Sequence, residues 1–371
     1  MTSETSLRQR FLPKVGLALV AIGVAFGLCE LGARMIFPRP PIASREPQIA
    51  FLYDPEIRYV MAPSQKGWID DGPTTVNSLG FRGAEVTIPK PHGRFRVVVI
   101  GDSLTLGWGV ADDETFSARL ERLLHERFPN RDLDVVNLGV GGYDTRQEVT
   151  LLARNVSRLE PDLVLVGFYS NDVPDTLDDD RSSTGGGAVI VPSNPQPGQR
   201  LHMNPTPAGW WDRQLRKSRA IYIAGRAFNR LRGAGEWGMT RFAMEIELLE
   251  GKDSPKLDRA WNNVALQFER LHSLADSQKF AVGVVVLPCR EQVMGQYPKA
   301  RYQSRVRDIV APLGFQVIDP LPLMTENRKP ELFIPYDRNH PSVAGHAVIA
   351  QAILRYLDEH RIVAPPEASG K

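Results

Sequence analysis

A serine hydroxyl attacks a carbonyl only when a base takes its proton, and an imidazole acts as that base when a carboxylate fixes its tautomer. The chain holds a residue for each role. Ser103 follows the run Val97-Val98-Val99-Ile100-Gly101-Asp102. Asp337 and His340 come together in Tyr336-Asp337-Arg338-Asn339-His340-Pro341, ahead of the last helical pattern. Of the seven histidines (His92, His125, His202, His272, His340, His346, His360), His340 alone has an Asp three residues before it in a loop after the last strand. His346 falls inside the following helix and reads as structural. Two other segments suit a developing oxyanion. Gly139-Val140-Gly141-Gly142 offers backbone N–H groups, and Asn171 offers a side-chain amide. An attacking oxygen, a base and fixed donors are the parts of an acyl-transfer site.

These residues need a scaffold that brings them to one edge. Short β-branched runs predict strands over 95–100, 133–138, 162–168, 280–287 and 315–318. Patterns of period 3.6 predict helices over 114–128, 146–159, 257–277, 301–310 and 343–357. Asp144 or Thr145 is the expected N-cap of the second of these helices. Strands alternating with helices make a doubly wound parallel sheet with right-handed crossovers. Ser103, the glycine cluster and Asn171 each follow a strand, so all three fall at its carboxyl edge, where such sheets bind ligands.

Residues 173–255 interrupt the pattern. Asp178-Asp179-Asp180 reads as a solvated acidic turn in preference to a cation site, and 182–187 and 193–198 as exposed loop. Trp210-Trp211 and a helix over Leu215–Leu231 are either a lid over the substrate or padding of the domain. Ahead of the sheet, Asn77-Ser78-Leu79-Gly80-Phe81-Arg82-Gly83 reads as a tight turn with an anchoring aromatic; the alternative sends Phe81 and Arg82 to the rim of the site.

Residues 12–37 are apolar and long enough to span a bilayer. Glu30 and Arg34 are spaced to pair on one helix face. A signal anchor is preferred over a cleaved signal peptide or a buried soluble helix. Arg8, Arg10 and Lys14 before the charge-free stretch Val15–Cys29 are offset by Arg34, Arg39 and Arg45 after it, so charge alone does not orient the span. The division that follows is a cytoplasmic tail over 1–11, the transmembrane anchor over 12–37, a linker and lead-in over 38–91, a catalytic domain over 92–362 and a disordered tail over 363–371. The net charge of +2 gives no reason to expect nucleic acid as a partner. Cys29 and Cys289 are the only cysteines, and the sequence contains no metal-type Cys/His cluster.

The four loops together resemble the SGNH hydrolases, the GDSL-type esterases. Gly101-Asp102-Ser103-Leu104 is similar to their first block, Asn137-Leu138-Gly139-Val140-Gly141-Gly142 to the second, Asn171-Asp172 to the third and Asp337-Arg338-Asn339-His340 to the last. The order is the family's, over 95–360. The resemblance implies a three-layer α/β/α, flavodoxin-like fold with a five-stranded parallel sheet. It implies a Ser103 nucleophile, a His340 base oriented by Asp337, and an oxyanion hole from Ser103, Gly142 and Asn171, with no cofactor. Two departures stand: Tyr169 occupies the place of a usual glycine, and Gly139 or Gly141 is an alternative donor to Gly142. The anchor, the insertion and the Asn-Ser-x-Gly-Phe-Arg segment resemble membrane-anchored bacterial members, some associated with envelope polysaccharides. The implied function is a serine esterase removing a carboxylic ester, an O-acetyl group on an envelope carbohydrate being the expected substrate. The implied location is the inner membrane, with the catalytic domain on the periplasmic or extracellular side. Two alternatives are an O-acyltransferase with a glycan hydroxyl as acceptor, and a catalytically silent glycan-binding protein.

Overall fold

The structure, a computed structural model, describes residues 4–36, 47–70, 72–177, 189, 191–192, 194–202, 218–221, 223–224, 236–298, 301–334 and 339–363. Asp178-Asp179-Asp180, the loop 182–187, Trp210-Trp211, Asp337 and the tail beyond 363 lie outside these. The chain forms two compact units: 1–44 with 206–233, and 45–205 with 234–371.

The first unit contains α1 (Glu4–Ile36). Its stretch Lys14–Ile36 has a mean hydropathy of 2.1 and is long and apolar enough to cross a membrane, consistent with a single-pass anchor. Leu17, Leu19, Ile22 and Leu28 are all exposed along it. Arg34 Nε lies 2.7 Å from Glu30 Oε1, the pair expected from their spacing. Glu30 Oε2 also accepts from Ser218 Oγ at 2.7 Å and from the Ala220 N–H at 2.9 Å. The helix expected over Leu215–Leu231 is described only here, as helical turns at 219–221 and 223–224.

The second unit opens with two antiparallel hairpins. In the first, β1 (Ala50–Asp54) pairs with β2 (Arg58–Met61), placing Phe51 opposite Met61. In the second, β3 (Gln65–Ile69) pairs with β4 (Gly72–Val76). The main sheet then begins with β5 (Phe95–Gly101), β6 (Leu133–Asn137) and β7 (Leu163–Phe168). From the insertion, β8 (Arg200–His202) returns to the free edge of β1. The main sheet is completed by β9 (Ala281–Val286) and β10 (Gln316–Ile318).

The spatial order is β6-β5-β7-β9-β10, all parallel. This is the flavodoxin-like order, with its switch point between β5 and β7. Val97, Val98, Val99 and Ile100 are fully buried, as is all of β7, because helices cover both faces of the central strands. The helices of this unit are α2 (Ser103–Leu106), α3 (Phe116–Arg127), α4 (Thr145–Leu159), α5 (Asp172–Asp175), α6 (Glu236–Leu249), α7 (Pro255–Gln278), α8 (Arg290–Val293), α9 (Tyr302–Val310), α10 (Leu321–Glu326) and α11 (Val343–Glu359). Helix α3 packs with α11 on one face, and α4 with α7 on the other. The result is a three-layer α/β/α fold. Expected strands and helices match within about two residues at each end, the usual fraying of boundaries. Asp144 is the N-cap of α4, accepting from the Gln147 N–H at 3.0 Å.

Candidate active site

The site is built where β5, β6 and β7 end. Gly101 and Gly167 face each other in register across β5 and β7. A Cβ on either would overlap Thr105 Oγ1, and a Cβ on Gly139 would overlap the Leu106 backbone N. Bare backbone at these three positions lets α2 sit directly on the strand ends. Asp102 starts that helix as its N-cap, its Oδ1 accepting from the Leu104 N–H at 2.8 Å. Gly107 ends it in the left-handed conformation, at φ +85°. Ser103 therefore occupies the first position of a short, closely seated helix.

Ser103 Oγ lies 2.8 Å from His340 Nε2, across 237 residues of sequence. A short two-strand contact holds the histidine loop: Ile334 N–H donates to His340 O at 3.0 Å, and Phe333 bridges Pro341. Ser342, two residues on, caps α11. The indole of Trp108 stacks on the His340 ring.

The loop after β6 is tied to β5. The Val140 N–H donates to Gly101 O at 3.0 Å. Asn137 Nδ2 donates to Thr105 O at 2.8 Å and its Oδ1 accepts from the Gly139 N–H at 2.8 Å, so one side chain braces both α2 and the glycine turn. Gly142 sits at φ +78°, where a glycine is unstrained. After β7, the buried Asn171 donates from Nδ2 to Asp102 Oδ2 at 3.1 Å.

Asp102 thus receives the Leu104 N–H and the Asn171 amide on its two oxygens. Burial nevertheless pushes its carboxyl above the ordinary range, against the anion-stabilising pull of the Leu104 N–H. Two more carboxyls lie buried nearby. Asp172 accepts from the Tyr169 N–H at 2.8 Å, and Glu148 lies on α4. Burial first, and repulsion from the other buried acids second, raise both well above their ordinary values.

The structure brings Ser103 to His340, sets Asn171 against the residue preceding Ser103, and puts Gly142 in the loop bound to β5. Asp337 lies outside the described residues. Three contributors were not singled out from the sequence: Asp102, Asn137 and Trp108. Asp before a short helix and Asn at a strand end carried a usable signal, as cap and loop brace. Trp108 carried none, since its stacking on His340 is fixed only by the tertiary fold. Among the described residues no group of three His, Cys, Asp or Glu side chains is arranged to hold a metal ion.

The profile of the GDSL-like Lipase/Acylhydrolase family matches residues 99–348. No curated protein matches the chain. Solved structures similar to it include LAE5, an alpha/beta hydrolase enzyme from the metagenome of Lake Arreo, Spain, at 18% identity and TM-score 0.42, covering 70% of this chain and 94% of that one. TesA is similar at 13% identity and TM-score 0.41, covering 71% and 98%. A catalytic mutant of Axe2, an acetylxylan esterase from Geobacillus stearothermophilus, is similar at 16% identity and TM-score 0.39, covering 75% and 97%.

Proposed function

Because the chain belongs to the GDSL-like lipase/acylhydrolase family, and is with it a hydrolase acting on ester bonds, we propose that Ser103 is its nucleophile and His340 its general base. The observation that carries this reading is the 2.8 Å approach of Ser103 Oγ to His340 Nε2 at the carboxyl edge of the sheet. Neutral His340 with its proton on Nδ1 accepts the hydroxyl proton at Nε2 as Oγ attacks the ester carbonyl. Asp337 is assigned the role of fixing that tautomer and stabilising the imidazolium that forms. The N–H groups of Ser103 and Gly142 and the Asn171 amide receive the oxyanion. His340 then returns the proton to the leaving alcohol, and water, deprotonated by the same imidazole, releases the acyl group.

The proposed substrate is an O-acetyl group on an envelope carbohydrate. The reading rests on the N-terminal anchor and on the resemblance to membrane-anchored envelope proteins, and it puts the catalytic domain on the periplasmic or extracellular side. The test uses the full chain in detergent, with Ser103→Ala and His340→Ala alongside. Wild type alone is expected to label with a fluorophosphonate and to release acetate from acetylated glycan faster than longer acyl groups from their esters. Retained turnover in Ser103→Ala would refute the nucleophile. Preference for long acyl chains would refute the acetyl substrate.

A further inference from the structure

Tyr59 stands 40 residues before the family-matched region begins at residue 99, yet its hydroxyl reaches the glycine turn of the site. It lies on β2 with its ring buried, edge-on to Phe51 and tilted against Tyr143. Its hydroxyl donates to Gly141 O at 2.8 Å. That oxygen belongs to the same rigid peptide group as the Gly142 N–H. In a trans peptide the two point in opposite directions in one plane, so a bond that fixes the carbonyl also fixes the direction of the N–H.

The local backbone makes this hold consequential. The Tyr143 N–H donates to Val140 O at 3.3 Å, closing a four-residue turn with Gly141 and Gly142 at its centre. Only the second of these has positive φ, the signature of a type II turn. Type I and type II turns differ chiefly in which way the central peptide faces. With glycine at both central positions, neither orientation meets a side-chain clash. The sequence of the turn therefore leaves the plane of peptide 141–142 loosely determined. The Tyr59 hydroxyl binds one of its two orientations.

We propose that Tyr59 is a positioning residue for the oxyanion hole: it holds peptide 141–142 so that the Gly142 N–H faces the reacting carbonyl oxygen. The inference rests on the proposed roles of Ser103 and Gly142. It makes the first hairpin of the lead-in part of the catalytic apparatus, although that hairpin contributes no reacting group.

The experiment compares wild type, Tyr59→Phe, Tyr143→Phe and Ser103→Ala as full chains on p-nitrophenyl acetate. Tyr59→Phe keeps the ring and removes only the donor. Complete loss of one oxyanion donor slows turnover by roughly a hundredfold or more, so a misdirected donor is expected to lower kcat by about tenfold, with KM within about twofold. Affinity for a boronic acid, whose tetrahedral adduct occupies the hole, is expected to fall by a similar factor. Tyr143 controls for looseness of the hairpin, because its hydroxyl donates to Tyr59 O and touches neither Gly141 nor Gly142 through that bond. Tyr143→Phe is expected to keep wild-type kcat even if its melting temperature falls. Tyr59→p-aminophenylalanine, a weaker donor of the same shape, is expected to recover part of the lost rate. If Tyr59→Phe does not fold, this variant alone carries the comparison, with kcat lowered severalfold at unchanged KM. Wild-type kcat in Tyr59→Phe, or in the amino variant where that one is used, with Ser103→Ala inactive, would overturn the role of Tyr59 and leave the nucleophile standing. Equal losses of kcat in Tyr59→Phe and Tyr143→Phe would overturn it too. Activity in Ser103→Ala would overturn the nucleophile itself.

Discussion

The indole of Trp108 lies nearly parallel to the imidazole of His340, their centroids 5.5 Å apart and their planes 24° from coplanar. Trp108 is delivered by the helix that begins at Ser103, since its N–H donates to Ser103 O at 3.0 Å. One short segment thus supplies both the group that His340 deprotonates in the proposed mechanism and the ring on which His340 rests.

On that mechanism His340 becomes a cation as the tetrahedral intermediate forms. An aromatic face within about 6 Å of a cation is worth roughly 0.5–2 kcal/mol. Trp108→Leu is therefore expected to lower kcat about tenfold on a simple acetyl ester, whereas Trp108→Phe keeps most of the rate. Steady-state kinetics of the two variants checks this. Equal rates in the two would reduce the ring to a packing role.

Arg82 has its own consequence for Ser103. Its Nη1 donates to Leu106 O at 2.7 Å and to Gly107 O at 2.6 Å, and its Nη2 to Val110 O at 2.6 Å. Its Nε pairs with Asp112 at 2.9 Å. The buried guanidinium holds the loop leaving α2. A lysine ammonium cannot match that planar fork. Arg82→Lys is expected to destabilise the domain by roughly 2–4 kcal/mol through buried carbonyls left without partners, and to slow fluorophosphonate labelling of Ser103. Urea unfolding and labelling rates measure the two effects separately. Unchanged labelling in a destabilised variant would show that the clamp serves folding alone.

The sheet was legible because its strands are continuous apolar runs, such as Val97–Ile100 and Leu163–Phe168, that end abruptly in polar loops. Ser103 and His340 were legible because each lies in a loop whose residue types suit one chemistry. Hairpins β1–β2 and β3–β4 were not, since their strands are only four or five residues long, and those of the second also carry Gly67, Gly72 and Pro73. Nothing local says that Leu201 will pair with Phe51. Phe81 and Arg82 sit in the expected turn and Phe81 is buried as its anchor, but Arg82 turns onto the carbonyls that end α2. A guanidinium's partners, when they are backbone carbonyls about 25 residues away, leave no trace in residue types.

His346 gives stability a pH dependence. It is fully buried against Phe116, and its Nδ1 accepts from the Phe116 N–H at 3.1 Å. Burial first, then the nearby charges of Arg82, His340 and Arg119, lowers its pKa to about 3. An unfolded histidine titrates near 6.5. Between those values the unfolded chain binds more protons. The stability that depends on neutral His346 is present above pH ~6.5 and is lost as pH falls toward about 3, by up to about 1.4 kcal/mol per pH unit. His346→Asn keeps an acceptor near Nδ1 and removes the titration. The variant is expected to be less stable at pH 7 and to lose stability less steeply between pH 6.5 and 4. Urea midpoints across that range decide it, and parallel curves would assign acid sensitivity to other groups.

Glu148 has the opposite sign. It is 1% exposed, and neither carboxyl oxygen has a hydrogen-bond partner among the described residues. Burial, then repulsion from Asp172, Asp102 and Asp144, raises it well above the ordinary 4.5. The folded state therefore holds a proton that the unfolded chain releases above pH ~4.5. The stability tied to that proton is complete below this pH and declines as pH rises toward the folded value. Glu148→Gln preserves shape and neutrality and removes the decline. The variant is expected to match wild type near pH 4 and to exceed it in stability at pH 8, with kcat within about threefold. A variant weaker than wild type by the same amount at pH 4 and pH 8 would mean that Glu148 is held by its shape and not by its proton.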